Sequence, residues 1–352
     1  AGLAGLTAAY ELHHAGLAVR VVEARPRLGG RALTVAPEKA DGSFDLGATW
    51  IWTDQPAITK LVHQLDLVTF PQYEAGRHLA EDIKGVPALP VDVEPTSARA
   101  MRLTGGIQQL CASLAAELPA EGLIGGATAV AITEVGDGMR VTTEDRNGRA
   151  ELLTTAVVVA APPRLVLEKI TFAPALPDDL LRVMKLTPTW MANAIKSVAV
   201  YESPFWRAGG LSGTVFSTLG PLREIHDATP GDSGVGALWG FFSGDDVYRE
   251  MVPSERAELA FAQLERLFGA PAADPIEYWE RDWSTDPNTN DEVFWVDEPL
   301  LDLGHPSFAQ PLLGGRLVWA GAETVAEGGG HLEGAVRSGQ RAARSIRRNL
   351  SR

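Results

Sequence analysis

Alternation of hydrophobic and polar residues predicts a first group of strands in the middle of the chain. The segment 127–155 alternates in polarity and carries turn signals at 136–138 and 147–148, so we expect a three-stranded antiparallel meander there. Residues 156–160 then form a continuous apolar run, which is typical of a strand buried on both faces.

The pattern changes after about residue 177 and indicates a second domain, inserted between two parts of the first. Its predicted elements are longer: strands at 193–201, 235–242 and 275–283, and a helix at 254–268. The helix has a Pro-Ser start and a glycine stop, which are common boundary signals.

The N-terminus carries a partial dinucleotide-binding fingerprint. Such a fingerprint needs a glycine turn after a strand, a second glycine at the pyrophosphate, a third for helix–strand packing, and an acid about 20 residues on for the ribose. Gly2 and Gly5 fit the second and third glycines, and Glu23 ends an apolar strand at 18–22. The first glycine and its strand would precede Ala1. Because that strand lies in the middle of such a sheet, we expect additional residues upstream of the sequence.

The C-terminal part predicts a second close approach of the backbone to a ligand. A short apolar strand at 317–320 runs into a Gly-Ala-Glu sequence ending at Glu323, and the glycine run 328–330 opens a helix at Leu332. The first N–H groups of a helix are unpaired and lie at the positive end of its dipole, so this helix could receive an electron-rich ring edge or a phosphate. Considered alone, the segment also fits an ordinary strand–loop–helix.

Composition and charge argue against several classes of protein. The 352 residues include 31 Lys and Arg against 45 Asp and Glu, and the net charge of −14 disfavours binding to nucleic acid. No apolar run reaches the ~18 residues of a membrane helix. The single cysteine, Cys111, is consistent with a reducing, cytoplasmic location, and we expect it to pack in the core of a helix at 107–118. The histidines show no metal-ligand spacing, so no metal site is predicted.

A set of motifs follows the N-terminal fingerprint in a fixed order. A second glycine pair and Arg31 come soon after Glu23, and a Gly-Ala-Thr-Trp segment ends at Trp50. Nicotinamide-dependent enzymes do not need these residues, whereas FAD is a longer cofactor and extends along the segments that contain them. On these motifs the chain resembles the flavin amine oxidase family, which includes monoamine oxidases, polyamine oxidases and flavin-type histone demethylases. Further matches, in order, are Ala161-Pro162-Pro163, Ile195-Lys196-Ser197, Pro204-Phe205-Trp206, Trp283, and the motifs at 320–323 and 332–336.

The resemblance implies a fold and its division into domains. The fold would be α/β, with a Rossmann-like FAD-binding domain of the glutathione-reductase type that carries a β-meander, and an α+β substrate domain with a curved mixed sheet. The resemblance assigns 1–70, 98–176 and 287–352 to the FAD-binding domain, and 71–97 and 177–286 to the substrate domain.

One region departs from the family. Family members carry helices that wall the substrate cavity, where this chain has a proline-rich connection at 84–96 without a helical period. Either the lid helices are absent and the site is open, or they lie outside the sequence. The second interpretation is favoured because the first strand is missing as well.

The resemblance also assigns residues to FAD. Glu23 would accept the ribose hydroxyls and Arg31 would offer its guanidinium to the pyrophosphate. Glu323 would hold the ribityl or phosphate side, with helix capping as the alternative. Arg25 is included, although surface ion pairing is an alternative for it as for Arg27. The predicted cofactor-binding residues are Gly2, Gly5, Glu23, Ala24, Arg25, Gly30, Arg31, Gly47, Ala48, Thr49, Trp50, Val130, Ala161, Pro162, Gly321, Ala322, Glu323, His331 and Leu332.

Three residues are assigned to the chemistry by the resemblance. Lys196 matches the family lysine that approaches flavin N5 through a water and assists reoxidation by oxygen. Its strand pattern places it on a face of small apolar residues, which is unusual for a cation, and an outward lysine on a sheet edge is the alternative. Trp283 matches the tryptophan packed beside the flavin ring, with a simple core tryptophan as the alternative. His331 is the third.

Two further departures bear on mechanism. Monoamine oxidases bind the flavin covalently through a cysteine shortly after the flavin-side tryptophan, but no thiol follows Trp283, so FAD should be non-covalent. The two aromatic rings that flank the amine match His331 and Val293, or Phe294 after a one-residue shift, so the aromatic cage is incomplete. His331 could polarise the substrate or accept a proton near neutral pH, or it could fill a tyrosine position as a polar ring.

The functional prediction is an FAD-dependent oxidase of a primary or secondary amine. A hydride equivalent would move from the carbon beside the nitrogen to flavin N5, oxygen would reoxidise the flavin to give hydrogen peroxide, and the imine would hydrolyse. The alternatives are a flavin desaturase or protoporphyrinogen-type oxidase, and a flavin-binding protein without turnover. The expected partners are a small-molecule amine and O2, and a homodimer is compatible with the sequence. The identity of the amine stays undetermined.

Overall fold

The computed structural model of the protein describes residues 1–91, 98–231, 234–290 and 303–351. The helices in these ranges are α1 (Leu3–His14), α2 (Pro56–Gln64), α3 (Gln108–Ala116), α4 (Pro163–Lys169), α5 (Asp178–Leu186), α6 (Phe205–Ala208), α7 (Asp246–Glu250), α8 (Pro253–Phe268) and α9 (Leu332–Leu350). None of these helices is both long enough and apolar enough to cross a bilayer.

The strands in the same ranges are β1 (Val21–Glu23), β2 (Thr34–Val35), β3 (Phe44–Asp45), β4 (Ile51–Trp52), β5 (Thr69–Pro71), β6 (Arg77–Glu81), β7 (Leu89–Val91), β8 (Ala100–Leu103), β9 (Leu123–Gly125), β10 (Thr128–Val135), β11 (Gly138–Asp145), β12 (Gly148–Thr154), β13 (Val157–Val159), β14 (Thr171–Ala173), β15 (Ile195–Tyr201), β16 (Leu211–Ser217), β17 (Leu222–Asp227), β18 (Gly236–Phe242), β19 (Glu277–Asp282) and β20 (Leu317–Trp319).

The largest sheet contains seven strands in the order β19-β15-β18-β17-β16-β6-β7. Neighbouring strands are antiparallel except for β16 and β6, which are parallel, so the sheet is mixed. The strands predicted at 193–201, 235–242 and 275–283 are β15, β18 and β19, and the helix predicted at 254–268 is α8. These predictions are confirmed, with small differences at the ends.

The two faces of this sheet pack against different parts of the chain. On the face that we call outer, Val215 and Ile225 lie in one apolar cluster with Leu264 of α8. On the opposite, inner face, Val198 of β15 lies in a cluster with Phe44 of β3. The inner face is therefore turned toward the segments that carry the N-terminal glycine motifs.

The meander predicted at 127–155 is confirmed. Strands β10, β11 and β12 pair antiparallel in succession, and β14 joins this sheet parallel to β10. Two further pairs are parallel, β1 with β9 and β13 with β20. The apolar run 156–160 contains β13, in which Val159 is buried and Val157 and Val158 are half-buried. All three residues line a cavity.

Helix α1 packs closely against α9 and β13, and glycines make this contact possible. A Cβ atom on Gly339 would lie 2.5 Å from the carbonyl oxygen of Ala4, and one on Gly5 would lie 3.2 Å from the Cβ of Ala160. Gly5 thus makes the helix–strand contact that the third glycine of a dinucleotide fingerprint makes.

Cys111 is fully buried in α3, in one apolar cluster with Leu110 and Leu114, so the expectation of core packing is confirmed. Burial raises the pKa of its thiol to about 12. The thiol therefore stays protonated near neutral pH and is a poor nucleophile.

The proline-rich connection contains a strand that sequence analysis did not predict. Within 84–96, residues Leu89–Val91 form β7, which pairs antiparallel with β6 at the edge of the large sheet. Proline is tolerated at a sheet edge, because an edge strand need not donate every backbone hydrogen bond.

Glu333, in the first turn of α9, joins this helix to the start of α2. Its buried carboxylate accepts hydrogen bonds from the backbone N–H of Ala57 at 3.2 Å and of Ile58 at 2.8 Å, and from Nε of Arg337 at 2.6 Å. N–H groups in the first turn of a helix have no partner within the helix. One side chain thus satisfies two orphan donors of α2 and fixes the distance between the two helices.

We expect Glu333→Gln to lower the free energy of unfolding by about 2 kcal/mol, because the amide keeps the volume but turns an NH2 group toward one of the N–H donors. Urea denaturation measures this loss. Glu327→Gln is the matched control, since Glu327 is exposed and pairs with the same Arg337. Its effect should stay within about 0.5 kcal/mol, and equal effects of the two variants would contradict the assignment.

Candidate active site

A cavity of about 1470 Å³ lies between the parallel strand pairs and the inner face of the large sheet. Every predicted cofactor-binding or catalytic residue lines it except Val130. Val130 sits at an irregularity of β10, where the pairing with β11 shifts between Ala129 and Ala131. Residues that lie far apart in the sequence are therefore brought to one cavity.

One end of the cavity is formed by the start of α1 and the Gly29-Gly30 turn. Gly2 precedes α1, which has no side-chain cap, and it forms a parallel bridge with Gly29. Gly30 has a φ of 59°, a left-handed conformation that favours glycine, and a Cβ there would lie 3.3 Å from the Cα of Gly2. Arg27, which sequence analysis left out of the site, donates to the carbonyl oxygen of Gly30 at 2.8 Å and so supports this turn.

Glu23 ends β1 at the cavity wall. Its Oε1 accepts the backbone N–H of Arg25 at 2.9 Å, and its other oxygen contacts the amino group of Ala1. The Arg25 guanidinium pairs with Asp286 and donates to Thr289 Oγ1 at 2.8 Å, and its side chain is only 11% exposed. The solvent-facing alternative for Arg25 is therefore wrong.

Arg31 and Glu323 form an ion pair between segments 292 residues apart. The guanidinium lies 2.6 Å from one carboxylate oxygen and 3.0 Å from the other, and it also donates to the carbonyl oxygen of Trp190 at 2.9 Å. The fully buried Glu323 accepts the backbone N–H of Trp190 at 3.2 Å. The pair thus joins three segments, and Glu323 caps no α-helix.

The start of α9 forms another part of the wall. His331 precedes the first residue of the helix, which has no side-chain cap, and its ring lies 5.8 Å from the ring of Trp190. Its Nδ1 lies 2.9 Å from the carbonyl oxygen of Gly329. Because a carbonyl can only accept, Nδ1 carries the hydrogen, and Nε2 of the neutral ring is left as an acceptor.

Lys196 places a buried positive charge on the inner face of the large sheet. Its strand, β15, lies between β19 and β18, and the residue is 1% exposed, so the alternative of an outward lysine on a sheet edge is wrong. Its Nζ donates to the carbonyl oxygen of Gly47 at 3.0 Å and to the hydroxyl of Thr49. The ammonium also lies 4.2 Å from the ring centroid of Trp239, within cation–π range.

The surroundings of Lys196 shift its protonation. Burial lowers the pKa of its ammonium to about 7, the charge of Asp45 opposes this change, and the charge of Arg102 adds to it. Burial also raises the pKa of Asp45, whose Oδ1 accepts the Thr34 hydroxyl at 2.6 Å and the Ile107 N–H at 2.9 Å. Sequence analysis missed Asp45 and Arg102, because neither a motif nor a spacing marks two charges that meet inside the fold.

Trp283 is 3% exposed and lines the cavity near Lys196. Its indole N–H donates to the carbonyl oxygen of Leu46 at 2.9 Å, just before the Gly-Ala-Thr-Trp segment. The residue is thus both a core side chain and part of the wall, so the two interpretations of this tryptophan do not compete.

Four aromatic residues of the wall were not predicted: Trp52, Trp190, Trp239 and Phe241. Trp239 and Phe241 follow from the alternation of β18, which turns every second residue to the inner face. Val293 and Phe294, the candidates for the second ring of the aromatic cage, lie outside the described residues. Within the described ranges, no group of three or more His, Cys, Asp or Glu side chains could hold a metal ion.

The residues around the cavity fit a dinucleotide. Two helices begin at its wall without a side-chain cap, so unpaired N–H groups and two positive dipole ends face the same space. Glu23 offers a carboxylate at the end of a parallel strand, where a ribose is bound in dinucleotide folds. The volume also exceeds that of ordinary small-molecule pockets, which are about 300–1,000 Å³.

Comparison with known proteins agrees with this geometry. The profile of the family described as flavin containing amine oxidoreductase matches residues 3–98 and 91–347. A putrescine oxidase of Kocuria rosea is 27% identical over 453 aligned residues, which cover 98% of this chain and 93% of that protein. Since this chain has 352 residues, about 100 aligned positions face none of its residues. The two profile matches meet at 91–98, in the proline-rich connection.

Solved structures share the fold over the full length of the chain. Cyclohexylamine oxidase from Brevibacterium oxydans has a TM-score of 0.87 at 22% identity and covers 100% of this chain and 98% of its own. A putrescine oxidase variant with redesigned cofactor binding has a TM-score of 0.84 at 25% identity, with coverages of 99% and 97%. The prediction of a mixed α/β fold is confirmed.

The profile match decides between the functional predictions made from the sequence. It spans most of the chain and includes both glycine-rich ends and the strand of Lys196. It confirms the prediction of a flavin-dependent enzyme that acts on amines, and it disfavours a flavin protein without turnover. The chain belongs to the family of flavin-containing amine oxidoreductases.

Proposed function

We propose that this protein oxidises a primary or secondary amine with non-covalently bound FAD and transfers the electrons to O2, giving hydrogen peroxide and an imine that hydrolyses. The observation that carries the proposal is the buried ammonium of Lys196 in an aromatic wall of the cavity. Burying a cation in such a place costs free energy even beside a partner charge, so a lysine at this position points to a chemical role. A positive charge is what the reduction of oxygen requires nearby.

The proposed position of FAD follows from the two ends of the cavity. The α1 start with Gly2 and Gly30 would hold the pyrophosphate, Gly5 would keep α1 close to β13, and Glu23 would bind the ribose of the adenosine part. Arg31 and Glu323 would line the middle, and the α9 start would meet the electron-rich edge of the ring system. This arrangement corresponds to a Rossmann-like domain of 1–70, 98–176 and 287–352, and a substrate domain of 71–97 and 177–286.

Bound FAD supplies the acceptor for the hydride equivalent, and the chain supplies the environment. Trp239, Phe241 and Trp283 make the wall beside Lys196 apolar and exclude water. Among the residues that the structure describes, none forms a hydrogen bond with Nε2 of His331, so this atom can take a proton from an ammonium substrate and leave the neutral amine. The rings of Trp190 and His331 lie 5.8 Å apart at this part of the wall.

Several parts of the sequence-based account stay predictions: the roles of individual site residues, non-covalent binding of the flavin, the Rossmann subclass and domain division, a cytoplasmic location and a homodimer. The first is the most direct to test, because flavin absorbance reports each step.

Non-covalent binding predicts that acid precipitation of the purified yellow protein releases all the flavin into the supernatant, since no thiol follows Trp283 through residue 352. Mass spectrometry of the supernatant should identify FAD. Yellow colour that stays in the pellet would refute non-covalent binding, and a different flavin in the supernatant would refute FAD.

Lys196→Met should slow the reaction of the reduced flavin with O2 at least ~10-fold, or about 1.4 kcal/mol of lost stabilisation. The variant keeps the packing of the side chain and removes the charge that favours electron transfer to oxygen. Stopped-flow mixing of photoreduced protein with oxygen measures the rate. Lys185→Met is the control, because Lys185 is exposed in the last turn of α5. Equal reoxidation rates in all three proteins would place Lys196 outside this step.

The rate of reoxidation should also fall as the pH rises through about 7. Burial lowers the pKa of Lys196 to about 7, so the ammonium predominates below this value and the neutral amine above it. The charged form assists oxygen, so the faster reaction lies on the acidic side. The same stopped-flow measurement between about pH 6 and pH 9 checks the slope. Lys196→Met should remove this dependence of the rate on pH. If the dependence persists in the variant, another group titrates in this range.

A further inference from the structure

The indole of Trp50 forms part of the cavity wall and is held there by other rings. Trp50 lines the cavity and directly follows Thr49, whose hydroxyl contacts the Lys196 ammonium. Its ring packs edge-on against the rings of Trp239 at 5.1 Å and His226 at 4.8 Å. Such aromatic pairs favour one relative orientation of the rings. Trp50 is therefore packed like a core side chain, although it borders open space.

Gln72 fixes the polar end of this indole. The indole N–H of Trp50 donates to Oε1 of Gln72 at 2.9 Å. The NH2 group of Gln72 in turn donates to the carbonyl oxygen of Asp227 at 2.7 Å and to that of Tyr73 at 3.3 Å. Because carbonyl oxygens only accept, these two bonds determine which end of the amide faces Trp50. Gln72 therefore presents an acceptor to the indole.

Asp227, which accepts from Gln72, is anchored by the Pro-Phe-Trp motif that ends at Trp206. Its fully buried carboxylate accepts the indole N–H of Trp206 at 2.8 Å and pairs with the guanidinium of Arg207 at 2.8 and 2.9 Å. The same guanidinium lies 3.7 Å from the ring centroid of Tyr73. Buried polar networks whose groups are satisfied make the residues in them rigid. A motif without a role in the sequence analysis thus supports the Gln72 amide.

The bond to Gln72 determines which surface Trp50 presents to the cavity. Gln72 is 6% exposed and does not line the cavity, so the indole N–H is directed away from that space. The ring presents carbon atoms instead, beside the apolar side chains of Trp239 and Phe241. Without this acceptor the N–H would lie unpaired or turn toward water in the cavity, and an unpaired buried donor is costly. The bond therefore keeps this part of the wall apolar.

We propose that Gln72 is a positioning residue for the amine substrate: by holding the Trp50 indole, it shapes the apolar wall against which the hydrocarbon part of the amine packs. This inference rests on the proposed amine oxidation at the cavity. Close contact with a preorganised aromatic surface strengthens the binding of an apolar group. Lys196 keeps its own bonds to Gly47 and Thr49, so the reaction with oxygen does not depend on Gln72.

The first experiment measures flavin reduction by hexylamine and by benzylamine in the FAD-loaded enzyme. Anaerobic stopped-flow mixing separates the dissociation constant of the amine from the limiting rate of reduction. Gln72→Met keeps the length of the side chain and removes the acceptor. It should raise the dissociation constant at least ~10-fold, or about 1.4 kcal/mol, and change the limiting rate less than about threefold. Gln64→Met is the matched control, because Gln64 is exposed at the end of α2. Its constants should equal those of the wild type.

A double-mutant cycle separates the bond to Trp50 from a general structural role of Gln72. Trp50→Phe removes the indole N–H and keeps an aromatic ring. If Gln72 acts by accepting that N–H, Gln72→Met should weaken amine binding much less in the Trp50→Phe background. The bond from Gln72 to Asp227 is available in both backgrounds, so a role through that bond predicts equal losses. Urea denaturation of the same four proteins gives a cycle without turnover, and the two substitutions should be non-additive there as well.

The outcomes separate the two proposals. Flavin that no amine can reduce would overturn the proposed oxidation, and the role of Gln72 with it. Amine binding that is unchanged in Gln72→Met, or that weakens equally in the Trp50→Phe background, would overturn only the role of Gln72. Additive effects in urea would overturn the bond itself. Photoreduced Gln72→Met should react with O2 at the wild-type rate, and a slower reaction would mean that the substitution disturbs the whole cavity instead of Trp50.

Discussion

The arrangement of the cavity depends on a positive charge held in an apolar wall. Lys196 belongs to an internal strand of the large sheet, and its ammonium bonds the backbone of Gly47 and the hydroxyl of Thr49, which belong to the other part of the chain. Removing a charge from water costs several kcal/mol, and here hydrogen bonds, an aromatic face and the nearby charge of Asp45 offset part of that cost. The part of this cost that is not offset lowers the pKa of the Lys196 ammonium. The same contact thus joins the large sheet to the segment of Gly47 and Thr49 and holds the Lys196 ammonium at the cavity wall.

Elsewhere in the cavity wall, backbone groups rather than charged side chains face the space. Two helices start at the cavity, and their unpaired N–H groups are aimed at it by close packing of glycines, at Gly5 against β13 and at Gly339 against α1. The charged groups there are already balanced, since Arg31 pairs with Glu323. Outside the cavity, the Glu333 carboxylate accepts the unpaired N–H groups in the first turn of α2 and so fixes the position of α9 relative to α2. Preorganised dipoles of this kind need no rearrangement when a ligand binds.

The inner face of the sheet extends beyond the residues that line the cavity. The row from Lys196 through Phe241 to Glu224 changes from cationic to apolar to anionic over three strands. The same sheet therefore presents a cationic end and an anionic end at a separation set by strand spacing. About 100 aligned positions of the putrescine oxidase have no counterpart in this chain, and the profile matches meet at the edge of the same sheet, after β7.

Periodicity and motif order in the sequence determined the elements of the fold and the family. The meander, the long strands of the second region, α8 and the apolar surroundings of Lys196 all follow from local alternation, because local patterns decide which face of an element is buried. Tertiary structure alone decided which elements meet. Arg31 and Glu323 are 292 residues apart, Asp45 approaches Lys196 through the interior, and Glu224 joins the row of Lys196 only because β17 pairs with β18 in that register. Strand register and long-range packing depend on the whole chain at once, so no local pattern reveals them.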